Sequence, residues 1–185
     1  MRLFVALIPP PAVLDEIASA FAPFRDGWPE LRWTDRDTWH VTLAFYGEAG
    51  EPTTARLLPR LERAVARHPR RELAFTGPGA FPRARAARTL WTGIDGDLRR
   101  LAESCVAAGR REGLDMGRTL RFHPHLTVAR TRAPHDVRPI VEALSTYEGS
   151  RWTAGDVHLV RSHLGARVRY ESLCRWPLRD ATDGR

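Results

Sequence analysis

Lysine is missing from this chain of 185 residues, and all 29 of its Lys+Arg positions are arginine. That absence excludes chemistry. There is no lysyl-nucleotide intermediate, so an ATP-dependent nucleic-acid ligase of the lysine type is ruled out. There is no Schiff-base lysine and no P-loop lysine either. Cysteine is scarce, with only Cys105 and Cys174. They lack metal-ligand spacing and form no disulfide framework, so reduced thiols in a cytoplasmic protein are expected, with a single bridge between them left open. No apolar run reaches the length of a membrane span. Met1–Ile8 is apolar but stops at three prolines and shows no cleavage-site pattern, so no signal peptide and no membrane association are expected.

The formal net charge is +7, and 43% of the residues are hydrophobic. Such a chain builds a single domain with a real core, expected over residues 1–178 with a tail over 179–185. The arginine excess has two readings. One is a coding bias spread over the surface; the other is a phosphate-bearing partner, because a guanidinium forks onto phosphate oxygens.

One pattern occurs twice. His40-Val41-Thr42-Leu43 and His125-Leu126-Thr127-Val128 both read histidine, aliphatic, threonine, aliphatic. In a strand, residues i and i+2 share a face, so each copy displays a histidine and a threonine and buries two aliphatics. Two such strands brought face to face would set two imidazoles and two hydroxyls around one cleft.

Elsewhere the periodicity predicts strands over 3–8, 31–34, 73–75, 89–94, 152–161 and 168–176, besides motif strands over 40–45 and 125–130. Helices are predicted after the three prolines (Leu14, Ile17, Ala18 and Phe21 on one face), over 53–68, over 97–111 and near 137–144. Pro59 predicts a kink or a late start in the second helix. Residues 76–88 read as a loop, and 112–121 as a polar connection. The motif recurs after 85 positions, close to half the chain, which suggests an internal duplication. The expected fold is α+β: a bilobal duplicated fold, with two antiparallel sheets lining a central cleft and helices outside.

The motif blocks resemble the two-histidine phosphoesterase superfamily, and within it the RNA 2′,3′-cyclic phosphodiesterases, also called LigT-like or 2′-5′ RNA ligases. The resemblance covers nearly the whole chain. It rests on the opening Met1-Arg2-Leu3-Phe4-Val5-Ala6, on Arg32-Trp33 with Trp39 to Glu48, on Phe122 to Arg130, and on Arg161-Ser162-His163-Leu164 with Tyr170-Glu171. It implies a pseudo-twofold bilobal fold, and hydrolysis of RNA 2′,3′-cyclic phosphate ends to a 2′-phosphate without metal or cofactor. His40 would be the proton donor and His125 the proton acceptor, while Thr42 and Thr127 hold the non-bridging oxygens. In the same geometry a 5′-hydroxyl could replace water and form a 2′-5′ linkage. An imidazole titrates at about pH 6.5, which suits both histidine roles.

Arg130 resembles a family arginine that helps hold phosphate, yet strict alternation puts it on the face opposite His125. It needs a bend to reach the site. Phe45 has the parity of the core face and is expected to pack there. Phe122 and Tyr46 either stack on a base or are buried. His123-x-His125 has metal-like spacing, but no nearby cysteine or carboxylate completes a ligand set, so no metal is expected. His68, His135, His158 and His163 read as surface or structural, and the tryptophans as core or rim packing. Arg83, Arg85 and Arg88 either guide RNA to the cleft or sit in a solvated loop. Two alternatives remain: an enzyme acting on small cyclic nucleotides, and a non-catalytic RNA-binding module. A monomer is expected.

Overall fold

The computed structural model describes residues 1–116, 122–165 and 168–180. The first strand, β1 (Arg2–Leu7), is almost wholly buried because it runs through the middle of a sheet. β3 (Val41–Glu48) flanks it on one side, and β8 (Asp156–His163) followed by β9 (Arg169–Pro177) on the other, all antiparallel. A second sheet has the order β2 (Arg32–Trp33), β6 (His125–His135), β5 (Ala87–Asp95), β4 (Arg71–Phe81) and β7 (Trp152–Ala154), again antiparallel. The expected pair of antiparallel sheets is therefore present, with one motif strand in each.

Four helices cover the outer faces. α1 (Pro11–Phe21) starts on a proline at its first position, where a missing N–H costs nothing, and buries Val13, Leu14, Ile17 and Phe21. It reaches the second sheet through the Phe21 ring against Trp33 and through Glu16, which accepts from the Ser150 N–H. α2 (Glu51–Val65) and α3 (Arg99–Arg111) pack on each other behind the first sheet. The short α4 (Arg138–Ala143) lies on β4.

Three expectations are corrected. α2 runs without interruption through Pro59 and begins at Glu51, so there is no late start. Pro59 is on the exposed side, where the carbonyl left without its helical donor faces solvent. Residues 76–88 are not one loop: β4 continues to Phe81 and β5 begins at Ala87. Gly77 and Gly79 serve close packing here rather than a turn. A Cβ on Gly79 would lie 2.2 Å from the Trp91 ring, and one on Gly77 2.9 Å from the Ser145 carbonyl oxygen. Residues 152–161 are not one strand, because β7 ends at Ala154 in the second sheet and β8 starts at Asp156 in the first. The chain crosses between lobes at Gly155.

One apolar core fills the space between sheets and helices, and it takes in Tyr46, whose hydroxyl donates to the Cys105 carbonyl at 2.8 Å. Both cysteines are free. The chain after β9 stays attached: Arg179 bridges to Pro69, and the Asp180 carboxylate pairs with Arg70 at 2.9 Å. Among the described residues, no helix is long and apolar enough to cross a membrane.

Candidate active site

The two motif strands deform at the same place. In β3, Val5 pairs with Ala44 but Ala6 pairs with Thr42, so Leu43 is an extra residue. In β6, Leu90 pairs with Ala129 but Trp91 pairs with Thr127, so Val128 is extra. A bulge of this kind resets the alternation of faces. The burial pattern follows it: Leu43 and Ala44 are both buried, as are Val128 and Ala129. After each bulge, the next outward residue rejoins the face of the histidine and threonine. Those residues are Phe45 and Arg130. The bend that Arg130 requires is thus built into the strand. Phe45, expected in the core, is instead 46% exposed and lines the cleft.

The second bulge is braced from the residue that follows β2, its neighbour in the same sheet. The Thr34 N–H donates to the Val128 carbonyl at 2.9 Å, and its hydroxyl reaches the same oxygen at 3.0 Å. That hydroxyl also accepts from the Trp39 indole N–H at 2.7 Å. Trp39 is buried and precedes His40, so one short chain of hydrogen bonds ties the entry to the first motif to the bulge of the second.

His40, Thr42, His125, Thr127 and Arg130 all line one cleft of about 480 Å³, together with Phe4, Tyr170 and Arg2 among others. No carboxylate lines it among the described residues. Arg2, Arg32 and Arg130 border it, and none of the three makes an ion pair with a carboxylate among the described residues. Such a cleft attracts an anion.

Each imidazole is held in the same way. His40 Nδ1 lies 2.7 Å from the Thr38 carbonyl, and His125 Nδ1 lies 2.7 Å from the His123 carbonyl. A carbonyl only accepts, so Nδ1 carries the hydrogen in both rings. Nε2 is then the nitrogen that takes up or releases a proton. Burial pulls the pKa of both rings below the ordinary value near 6.5. The carbonyl bonds oppose that shift, while neighbours that disfavour a further positive charge reinforce it: His125 and Arg130 for His40, and His123 and Arg130 for His125. Both rings line the same cleft, and His125 is among the groups that lower the pKa of His40. Near neutral pH both are mainly uncharged in the free protein.

Several cleft residues had no site role in the sequence reading. Phe4 packs 4.6 Å from the His40 ring, and Tyr170 meets both edge-on at 5.1 Å. Phe4 is buried on the cleft side of the first sheet with Ala6 and Val160, a small cluster separate from the main core. Burial raises the pKa of the Tyr170 phenol, so it keeps its proton as a donor. The guanidinium of Arg2 sits over the Phe45 ring at 5.0 Å. A single signal, Arg2-x-Phe4 in an otherwise apolar strand, hinted at this face.

Other expected roles resolve elsewhere. Phe122 packs partly buried against the core, and Tyr46 is buried. His68, His158 and His163 bond to Ser104, Ser172 and Glu171. No group of three metal-ligating side chains occurs among the described residues.

Two imidazoles, two threonines and an arginine lining one cleft, with no carboxylate among its described lining residues and two sheets that repeat one bulged strand, are the arrangement expected of a two-histidine phosphoesterase. Residues 9–166 match the 2′-5′ RNA ligase superfamily, and the chain belongs to that family. Among its relatives, an RNA 2′,3′-cyclic phosphodiesterase of Archaeoglobus fulgidus is 31% identical over 167 residues, which cover 89% of this chain and 92% of that protein. The enzyme of the same name from Aeropyrum pernix is 32% identical over 117 residues, covering 62% of this chain and 65% of the other. Of the solved structures, apo LigT of E. coli superposes with a TM-score of 0.77 at 26% identity, covering 96% of each chain, and its complex with 3′-AMP gives 0.76.

Proposed function

We propose that this chain, a cyclic phosphodiesterase by its family and relatives, opens 2′,3′-cyclic phosphates at RNA ends by metal-independent acid–base catalysis between His40 and His125. The observation that carries this reading is the matched anchoring of the two imidazoles. Each Nδ1–H is tied to a backbone carbonyl, so each Nε2 is left for proton transfer in a cleft lined by arginine.

In this scheme neutral His125 takes a proton from water as the oxygen attacks phosphorus. The P–O3′ bond breaks on the far side, and His40 gives its proton to the departing O3′, leaving a 2′-phosphate. His40 is depressed in the free protein, and an entering phosphate monoanion supplies the charge that draws a proton onto it. Thr42, Thr127 and Arg130 stabilise the charge that gathers on the non-bridging oxygens. Tyr170 and Phe4 fix the plane of the His40 ring.

The test uses purified protein treated with EDTA and an oligonucleotide ending in a 2′,3′-cyclic phosphate. Conversion to the 2′-phosphate with no added metal is expected. A strict need for divalent metal, or a 3′-phosphate product, would overturn the corresponding part of the scheme.

A further inference from the structure

The cleft wall beyond His125 carries a second group of rings that the reaction above does not use. Trp91 pairs across the sheet with Thr127, and Gly79 pairs with Trp91 from the next strand. The indole lies over Gly79, where even a methyl group would collide with it. Phe81, two residues along β4, packs 5.2 Å from Trp91 and meets the His125 ring edge-on at 5.0 Å. The His123 ring sits 4.7 Å from Trp91. Phe81 is 37% exposed, and His123 is also exposed. A core would cover such a cluster, whereas here Phe81 and His123 are exposed and the group adjoins the cleft through the contact of Phe81 with His125 and the pairing of Trp91 with Thr127. Arg83 and Arg85 are exposed in the turn that leaves β4 just after Phe81.

Position along the reaction axis gives this group of rings its meaning. The leaving ribose oxygen faces His40, and the attacking oxygen faces His125. A nucleoside seated on the His125 side is therefore on the side of the nucleophile. Aromatic shelves beside arginines accept nucleobases of any sequence by stacking and hold the connected phosphates by charge.

We propose that Phe81, Trp91 and His123 form a seat for the nucleobase of an RNA bearing a 5′-hydroxyl, which enters in place of water. The proposal rests on the catalytic reading above. The 5′-oxygen bonds to phosphorus and its proton passes to His125 Nε2. The P–O3′ bond breaks, and O3′ takes the proton of His40. The product is a 2′-5′ phosphodiester, and no other reactant is needed.

The test offers a 5′-phosphorylated oligonucleotide with a cyclic phosphate end, alone or with an excess of a 5′-hydroxyl trinucleotide. The readout is the ratio of 2′-5′-joined to hydrolysed product. Phe81→Ala should lower that ratio about tenfold. Hydrolysis of the donor alone should change by less than about threefold, and Phe81→Tyr, which keeps the ring, should restore the ratio. An unchanged ratio in Phe81→Ala overturns the proposal. So does equal loss of joining and hydrolysis, which marks a merely structural ring. Wild-type protein that hydrolyses but never joins at saturating trinucleotide overturns it as well. Wild-type protein that does not hydrolyse the donor at all strikes the catalytic reading instead.

Discussion

The strand that carries His40 and the strand that carries His125 repeat the same sequence of events in different settings. Each presents histidine and threonine, takes in one extra aliphatic residue, and returns the next side chain to the cleft. β3 is the edge of its sheet, supported on one side by β1. β6 lies inside its sheet between β2 and β5, and Thr34 braces its bulge. After the bulge the halves part: the first offers the Phe45 ring and the second the Arg130 guanidinium. Around the histidines they differ too, with Phe4 and Tyr170 closing over His40 and Phe81 and Trp91 beside His125. Two strands of one pattern thus present two imidazoles anchored alike. The residues outside the repeated tetrapeptide make the two sides unequal.

The sharpest way to break this comparison is to remove one histidine at a time. His40→Ala and His125→Ala should each lower kcat on a cyclic phosphate end by about 10²–10⁴-fold while thermal unfolding stays cooperative. Their equivalence should then fail on a phosphodiester with a nitrophenolate leaving group. That group departs without a proton, so it should restore His40→Ala far more than His125→Ala. Rescue of His125→Ala instead would exchange the two roles.

Next in size is the pair after the bulge. Arg130→Met removes a positive charge from the cleft and, on the proposed mechanism, should reduce kcat/KM by about 10²–10³-fold, as loss of a preorganised charge-stabilising donor does. Phe45→Leu, at the matching position, should cost less than about tenfold and act chiefly on KM. Steady-state kinetics of the two variants measure how far the halves have diverged. Equal losses would mean that position 45 holds substrate as firmly as position 130. Smaller again are Thr42→Val and Thr127→Val, each removing one hydrogen bond that the proposed mechanism gives to phosphate, with an expected loss of about threefold to tenfold in kcat.

The comparison also explains what was legible in the sequence. The repeated motif announced both histidines and both threonines, because a period of two survives in any strand. The helices followed from the spacing of Leu14, Ile17 and Phe21 and of Leu57, Leu61 and Val65, all of which are buried. What failed was parity after the bulge. An extra aliphatic residue looks like any other aliphatic residue, so Phe45 read as core while the strand turned it outward. Residues 76–88, which hold Gly77 and Gly79, read as a loop because a sequence shows a missing side chain without showing what occupies its space. Phe4, Arg2 and Tyr170 come from strands far from either motif, and only the pairing of β1 with β3 and β8 gathers the first two toward His40. The crossover at Gly155 hid for a related reason: two short strands one residue apart have the periodicity of a single one.

The finest test turns on a neighbour that only one half possesses. His123 acts on His125 and not on His40, whereas Arg130 acts on both. Removing a neighbour that lowers the pKa favours the protonated imidazole, so His123→Ala should raise the pKa of His125 toward its ordinary value near 6.5 and leave that of His40 in place. The anchor of the ring is retained, since it is the backbone carbonyl of residue 123 that bonds Nδ1. If His125 is the base, it is lost to protonation at a higher pH than before. The acid limb of the kcat/KM profile should then move up while the alkaline limb stays, and an imidazole titration followed by NMR should show the same shift on one ring only. Movement of the alkaline limb alone would make His125 the acid, and movement of both would mean that the two sites titrate as one coupled pair.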